Sequence, residues 1–226
     1  MKGNNLEHNT LQGIIFDLDG TLLDSTGMWG QVDHKLMAYY GREVPPDLSE
    51  RVQRMSIEEF SHFFVEEFSL PTTPERIAKQ VSDMVAEEYR ELLPLKPHAM
   101  ELLDWLDGQN IVYGVATATY GELAAAALKR LGVWERLQFL ITEQDAGAPK
   151  SQPQIFQQAA QKLHLGRRQI AVAEDSLYAL QTAKRAGFFT VGVYDNASQP
   201  VWPEICATAT VHVQNLLEMK PVLRGV

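Results

Sequence analysis

In this 226-residue chain, six polar side chains lie at the ends of apolar runs or in the loops that come after such runs. They belong to four separated stretches, and three of these stretches come at the end of a short apolar run. The six residues are Asp17, Asp19, Thr117, Lys150, Glu174 and Asp175. Together they offer four carboxylates, a hydroxyl and an ammonium group, which suits the binding of a cation beside an anion.

These residue types predict phosphoryl-transfer chemistry assisted by a metal ion. Carboxylates that stay ionised in a crevice require a cation, and oxygen ligands of this kind favour Mg²⁺ with a substrate phosphate oxygen. An aspartate that a metal holds deprotonated is ready to act as a nucleophile. A second carboxyl group two residues later can reach the leaving group as an acid and then act as a base. A threonine hydroxyl and a lysine ammonium can hold phosphate oxygens.

The elements that must position these side chains alternate between strand and helix patterns. Apolar runs predict strands at residues 13–17, 111–117, 139–142, 170–174, 189–193 and 209–213, with helices predicted at 99–107, 121–131, 153–163 and 176–186. This alternation predicts an α/β fold, a Rossmann-like core with a parallel sheet flanked by helices. Ligands of such sheets bind beyond the carboxyl ends of the strands, where we expect the six side chains to meet.

Residues 25–96 have a different pattern of apolar residues. Apolar residues recur at helical spacing in 28–40, 57–68 and 77–92, and proline-containing turns separate these stretches. The segment lacks strand signals, so we predict an all-helical cap of residues 25–96. It would be inserted into a catalytic core formed by residues 1–24 and 97–226.

Composition narrows the class of protein and its partners. The chain carries 20 Lys and Arg against 29 Asp and Glu, a formal charge of −9, which disfavours nucleic acid and anionic membranes as partners. No apolar run approaches the ~18 residues of a membrane span, and the polar first twelve residues do not resemble a signal peptide. The single cysteine, Cys206, cannot form an intramolecular disulfide. We expect a cytoplasmic protein, and a monomer is compatible with the sequence.

Four short motifs, in this order and spacing, resemble those of the haloacid dehalogenase (HAD) superfamily. They are Phe-Asp-Leu-Asp-Gly-Thr-Leu-Leu-Asp-Ser at residues 16–25, Thr117, Lys-Ser-Gln-Pro-Gln-Ile-Phe at residues 150–156, and Glu-Asp-Ser at residues 174–176. A helical insertion just after the first motif resembles the subgroup with a C1-type cap. That subgroup includes phosphoglycolate phosphatases, sugar-phosphate phosphatases and β-phosphoglucomutases.

The resemblance implies a role for each carboxylate. Asp17 would attack phosphorus and become an aspartyl phosphate, while Asp19 would protonate the leaving oxygen and then activate water. Mg²⁺ would be held by Asp17, by the backbone carbonyl of Asp19 and by Asp175. Glu174 would bind the metal either directly or through water.

The resemblance also assigns the phosphate-binding groups. Thr117 and Lys150 would hold the phosphoryl oxygens, with a backbone N–H at Ala118 completing the cradle. Thr119 competes with Thr117 as the second motif, and the end of the apolar run favours Thr117. Trp29, near the start of the insertion, is a candidate for lining the substrate pocket.

Two motifs depart from the common pattern. The third is Ala-Pro-Lys-Ser at residues 148–151, where the family commonly has Gly-Lys-Pro. A glycine that commonly follows the fourth motif is absent, and Leu-Tyr-Ala-Leu at residues 177–180 stands instead, which places Tyr178 as a candidate at the rim of the site.

The expected function is a Mg²⁺-dependent phosphatase of a small phosphomonoester, such as a sugar phosphate, with the cap closing over the site. A phosphomutase is the nearest alternative. In β-phosphoglucomutases a histidine on the first cap helix couples closure to catalysis, and Trp29 takes its place here, which favours the phosphatase. Dehalogenases and phosphonatases lack the second aspartate, whereas Asp19 is present. A non-catalytic binding protein would have no need of that acid and base.

Overall fold

A six-stranded parallel sheet forms the centre of the chain, in strand order β3-β2-β1-β4-β5-β6. The structure is a computed structural model that describes residues 11–52, 55 and 57–224, apart from the side chains of residues 29, 30, 49 and 50. The strands are β1 (Gly13–Phe16), β2 (Val112–Thr117), β3 (Leu140–Thr142), β4 (Ile170–Glu174), β5 (Phe189–Val193) and β6 (Val211–Val213). The predicted fold class is confirmed.

Helices connect these strands and form the insertion. They are α1 (Met28–Tyr39), α2 (Leu48–Val52), α3 (Ile57–Glu67), α4 (Pro74–Glu87), α5 (Ala99–Gly108), α6 (Gly121–Arg130), α7 (Glu143–Ala146), α8 (Gln154–Leu163), α9 (Leu177–Arg185), α10 (Trp202–Thr208) and α11 (Met219–Arg224). A π-helical turn, Glu88–Leu92, continues α4. The sequence did not predict α2, α7, α10 or α11, because each has seven residues or fewer and therefore too few turns to show a periodicity.

The sheet forms because its central strands are apolar on both faces. Every residue of β1 and of β4 is buried, as expected of parallel strands covered by helices on both sides. On one face, the apolar side of α8 packs against the sheet, in a cluster that includes Ile15, Ile141, Ile155, Phe156, Val172 and Phe188. Burial of each such side chain contributes about 1.5–3 kcal/mol of transfer free energy.

The register of the central strands decides which side chains become neighbours. Phe16 pairs with Ala173 of β4 and with Val115 of β2, and the N–H of Asp17 donates to the Ala173 carbonyl at 2.9 Å. Glu174, the residue after Ala173 in β4, is therefore level with Asp17. This brings Asp17 and Glu174 side by side at the carboxyl edge of the sheet.

The chain divides into two compact units. The core unit comprises Met1–Asp24 and Pro94–Val226, and the inserted unit comprises Ser25–Leu93. The sequence analysis placed residues 94–96 in the insertion. In the structure these residues pair with the chain leaving β1, since Asp24 N–H donates to Pro94 O at 3.0 Å and Lys96 N–H to Leu22 O at 2.8 Å.

The inserted unit is entirely helical within its described residues, and α3 and α4 pack against each other there. Phe60 and Phe64 stack with ring centroids 4.1 Å apart in its buried interior. Lys35 pairs with the buried Glu88 at 2.7 Å, which satisfies a carboxylate that would otherwise be costly to bury. No helix in the described part of the chain is long and apolar enough to cross a bilayer.

Candidate active site

Three carboxylates meet at the carboxyl edge of the sheet. Asp17 follows β1, Glu174 ends β4 and Asp175 comes next in the chain, and all three are at least nine-tenths buried. One carboxylate oxygen from each lies within 4.8 Å of the others. The strand register explains this closeness for Asp17 and Glu174, and chain connectivity explains it for Asp175.

Lys150 is the cation that faces this cluster. Its Nζ donates to Asp17 Oδ1 and, at 2.6 Å, to Glu174 Oε1, and its side chain is only 3% exposed. A lysine ammonium carries three hydrogens. Among the described residues it makes these two hydrogen bonds, so one N–H remains for an oxygen of a bound molecule.

The loop that carries Lys150 is anchored by the short helix α7. Thr142 caps α7 by accepting the Asp145 N–H at 3.0 Å, and Asp145 Oδ2 accepts the Thr142 N–H at 3.0 Å. This capping box fixes Glu143 at the start of the helix, where its Oε1 accepts the backbone N–H of Lys150 at 2.5 Å. The loop therefore holds Lys150 in place despite lacking the family's common Gly-Lys-Pro sequence.

Burial and mutual repulsion make the protonated forms of two carboxyl groups more favourable. Burial raises the pKa of Asp17 well above its usual value, the attraction of Lys150 opposes this, and Glu174 and Asp175 raise it further. Burial, Glu174 and Asp195 raise the pKa of Asp175 to about 7. Burial would lower the pKa of Lys150, but the charges of Asp17 and Glu174 outweigh burial and raise it.

This donor set fits a divalent cation. Ionised Asp17, Glu174 and Asp175 carry three negative charges against the single positive charge of Lys150, so the buried group is left with a net charge of −2. Asp175 has the Thr21 hydroxyl at 3.4 Å as a hydrogen-bond donor. Hard oxygen ligands with an excess of two negative charges suit a divalent metal ion in charge and ligand type.

Asp19 stands at the edge of this cluster and is less buried than Asp17. Its Oδ2 accepts a hydrogen bond from the Thr119 hydroxyl at 2.5 Å. Gly20, the next residue, has φ of +79°, a left-handed conformation that a side chain would strain. The glycine after the second aspartate therefore allows the chain to turn sharply directly after Asp19, where the N–H groups of Leu22 and Leu23 donate to Leu18 O.

The two candidate threonines occupy different places. Thr117, at the end of β2, is 1% exposed, and its Oγ1 accepts the backbone N–H of Thr119 at 3.0 Å. Thr119 instead reaches Asp19. Ala118, between them, is exposed. The phosphate-binding role of Thr117 stays a prediction, and the hydroxyl of the competing residue Thr119 donates to Asp19.

Tyr178 lies beside the site, on the first turn of α9. Burial and the charge of Glu174 raise the pKa of its phenol to about 12, although the side chain is 49% exposed. It helps to line a cavity of about 380 Å³ that opens next to Asp175 and includes Gln181, Ala197 and Val201. The side chain of Trp29 lies outside the described residues, so its predicted place in a substrate pocket stays a prediction.

Sequence reasoning missed two charged residues at this edge, the buried Asp195 and the largely buried Lys96. Lys96 Nζ pairs with Asp195 Oδ2 at 2.9 Å, and their side chains are 14% and 4% exposed. Asp195 comes two residues after β5 ends, close to the pattern of Asp17 and Asp175, which directly follow their strands. The position of Asp195 after a predicted strand could have identified it, whereas nothing in the sequence distinguished Lys96 from a surface lysine.

Comparison with known proteins identifies a family and several relatives that are similar to this chain. The family model of haloacid dehalogenase-like hydrolases matches residues 14–193. A phosphorylated carbohydrates phosphatase from Thermotoga maritima is 24% identical over 177 residues, 78% of this chain and 82% of that protein. A validoxylamine A 7'-phosphate phosphatase from Streptomyces hygroscopicus subsp. limoneus is 27% identical over 219 residues, 91% of this chain and 94% of that protein.

A solved structure agrees with the fold. The crystal structure of a Thermotoga maritima protein provisionally named a β-phosphoglucomutase has a TM-score of 0.83 at 24% identity, covering 96% of this chain and 100% of that chain. The family match covers well over half of the sequence and includes β1, β2, β4 and the residues that follow them. The chain therefore belongs to the haloacid dehalogenase-like hydrolases.

Proposed function

We propose that this hydrolase is a Mg²⁺-dependent phosphatase that cleaves small phosphomonoesters through an aspartyl phosphate on Asp17. The observation that carries the proposal is the buried Asp17 carboxylate, which contacts Lys150 while Asp19 stands two residues away with Thr119 as its partner. A nucleophile, a cation and a separate acid are the three groups that phosphoryl transfer requires.

Each residue has a defined part in the proposed reaction. A carboxylate oxygen of Asp17 bonds to phosphorus as the ester P–O bond breaks, and Asp19 gives its proton to the leaving oxygen. Asp19 then takes a proton from water, which attacks phosphorus and breaks the P–O bond to Asp17, releasing inorganic phosphate. The third N–H of Lys150 would donate to a phosphoryl oxygen throughout.

The bound cation would neutralise charge on the phosphoryl group and keep Asp17 ionised. Asp17, Glu174 and Asp175 are the side chains proposed to hold it, with the backbone carbonyl of Asp19 as a further ligand. The raised pKa of Asp17 in the metal-free site supports the need for such a cation, because an un-ionised carboxyl group is a poor nucleophile.

The proposed substrate is a phosphorylated sugar or a similar metabolite. The relative from Thermotoga maritima is named for phosphorylated carbohydrates, and we extend that substrate class to this chain. We further propose that the inserted unit acts as the cap that selects the leaving group. A screen of phosphorylated metabolites with Mg²⁺, following phosphate release, tests the substrate class.

In this screen we expect phosphate release from one or a few sugar phosphates. A phosphomutase would instead interconvert sugar monophosphates, would need a bisphosphate activator and would release little phosphate. Isomer formation without phosphate release would overturn the phosphatase proposal while leaving Asp17 as the nucleophile.

Replacement of Asp19 with asparagine tests the acid and base directly. We expect Asp19→Asn to lower kcat by about 10²–10⁴-fold, because an amide can neither donate a proton to the leaving oxygen nor accept one from water. The matched control is Asp24→Asn, which changes an exposed aspartate of the same motif. Unchanged turnover in Asp19→Asn would remove Asp19 from the mechanism.

A further inference from the structure

Lys96 is a nearly buried lysine that the proposed reaction does not use. Its Nζ donates to Gly20 O at 2.7 Å, to Tyr194 O at 2.7 Å and to Asp195 Oδ2 at 2.9 Å. An ammonium group has three hydrogens, so these three acceptors occupy all of them. Lys96 therefore has no donor left for a phosphate oxygen, and any part it plays in the reaction must pass through the groups that it holds.

Asp195 is fixed independently of Lys96. Its Oδ1 accepts the Ala197 N–H at 2.9 Å, and its backbone carbonyl accepts the hydroxyl of the buried Ser198 at 2.9 Å. This turn at the carboxyl end of β5 makes the carboxylate a rigid anchor. Because Asp195 is also one of the charges that raise the pKa of Asp175, it belongs to the electrostatic surroundings of the site.

The backbone of Lys96 is also fixed. Its N–H donates to Leu22 O at 2.8 Å, and Leu23 forms an antiparallel bridge with Leu95. The side chain thus extends from a paired segment, and a well-anchored carboxylate holds its far end. A lysine fixed at both ends can hold a third group in place at little further cost in side-chain entropy.

That third group is the carbonyl of Gly20, directly after Asp19. The turn is compact: Gly20 N–H donates to Leu23 O at 2.9 Å, and the N–H groups of Leu22 and Leu23 donate to Leu18 O at 2.9 and 2.8 Å. Lys96 adds a charged hydrogen bond to this turn from outside it. Charge-assisted hydrogen bonds are about twice as strong as neutral ones.

We propose that Lys96, anchored by Asp195, is a positioning residue for the general acid Asp19. Lys96 holds the backbone on the C-terminal side of Asp19, while Thr119 holds its carboxylate. The inference rests on the proposed phosphatase function, since it assigns Lys96 to the acid step of that reaction. It makes the pair Lys96–Asp195 part of the reaction's geometry without contact to the substrate.

The leaving group provides the decisive readout. Phenyl phosphate and p-nitrophenyl phosphate have the same ring, but phenolate, whose conjugate acid has a pKa of about 10, needs protonation far more than p-nitrophenolate does. In Lys96→Met we expect kcat/KM for phenyl phosphate to fall at least about tenfold further than for p-nitrophenyl phosphate, within the range of general acid catalysis. A merely structural defect would lower both values equally.

Hydrogen exchange provides a readout that does not depend on activity. In Lys96→Met we expect faster exchange of the backbone amides of residues 20–24, since Lys96 no longer holds the turn. The matched control is Lys220→Met, which removes a lysine of the core unit that pairs with Glu101 at 3.1 Å on α5. This control should change neither the exchange at residues 20–24 nor the ratio of the two substrates.

Asp195→Asn is a second, milder variant in case Lys96→Met does not fold, and the same changes are expected in smaller degree. Unchanged exchange at residues 20–24 would overturn the inference, because Lys96 would not hold the turn. Faster exchange with an unchanged substrate ratio would also overturn it, since the turn would not position the acid. If the wild type hydrolyses neither ester and none of the phosphorylated metabolites in the screen, the proposed function fails, while exchange still decides whether Lys96 holds the turn.

Discussion

Asp17→Asn is expected to reduce phosphatase turnover by at least about 10⁴-fold, the scale on which removal of a catalytic nucleophile acts. The asparagine amide has almost the same shape as the carboxylate but lacks a nucleophilic oxygen. The change also removes a charge that pairs with Lys150 and one of three clustered metal-ligand candidates. The measurement is hydrolysis of p-nitrophenyl phosphate with Mg²⁺, together with the thermal unfolding of the variant.

The fold should survive this substitution. Asp17 is buried and its ionised form is disfavoured by burial, Glu174 and Asp175, so a neutral amide relieves part of that repulsion. Lys150 retains Glu174 as its partner at 2.6 Å. We therefore expect a cooperative unfolding transition close to that of the wild type in metal-free buffer.

Asp24→Asn is the control, as it is an exposed aspartate in the same motif. It should keep wild-type turnover. Retained turnover in Asp17→Asn would remove Asp17 as the nucleophile and, with it, the aspartyl phosphate. Loss of turnover in both variants would point to a general sensitivity of the motif and would not support a specific role of Asp17.

The architecture of the sheet was predictable because strands that are buried on both faces have continuous apolar runs in the sequence. The apolar runs at residues 13–17 and 170–174 predicted buried strands, and parallel strands bring the residues at their carboxyl ends to one edge of the sheet. The adjacency of Asp17 and Glu174 followed from this pattern. The family model confirms the predicted membership of the HAD superfamily. This membership was predictable because the motifs are short stretches that can be recognised in the sequence by their order and spacing.

Loop geometry was not predictable. The pairing of Thr119 with Asp19 joins residues 100 positions apart, and that of Lys96 with Asp195 joins residues 99 apart. Such contacts depend on backbone angles in turns, which hydrophobic periodicity does not encode. The contacts of residues 94–96 were not predictable for a similar reason, because they pair with residues 22–24 through backbone groups that every residue type carries.

Removal of divalent cations is expected to have the second large effect. EDTA should lower turnover by at least about 10³-fold, comparable to the loss of strong electrostatic stabilisation of a transition state, and added Mg²⁺ should restore it. The reason is the unbalanced charge of the buried cluster, in which Lys150 faces three carboxylates. Activity that persists through exhaustive chelation would remove the metal-ligand roles of Glu174 and Asp175.

The same cation should stabilise the fold in a manner that depends on pH. Without metal, the pKa of Asp175 is about 7, against 3.8 for an ordinary aspartate. Between these values the folded, metal-free protein keeps Asp175 protonated while the unfolded chain is ionised, so stability falls as pH rises through this window. Mg²⁺ binds the ionised carboxylate, and its stabilising effect should therefore grow as pH rises through this window.

Thermal unfolding with EDTA or with Mg²⁺, at a series of pH values, measures this linkage. A cation present at about 100 times its Kd stabilises the folded state by about 2.7 kcal/mol, so the shift in Tm is measurable above pH 7.

In Asp175→Asn the metal-dependent shift should disappear. The metal-free variant should be at least as stable as the metal-free wild type, because it no longer buries that charge. A shift of equal size at every pH would contradict the titration of Asp175 in the metal-free site, and a shift that survives in Asp175→Asn would place the cation elsewhere.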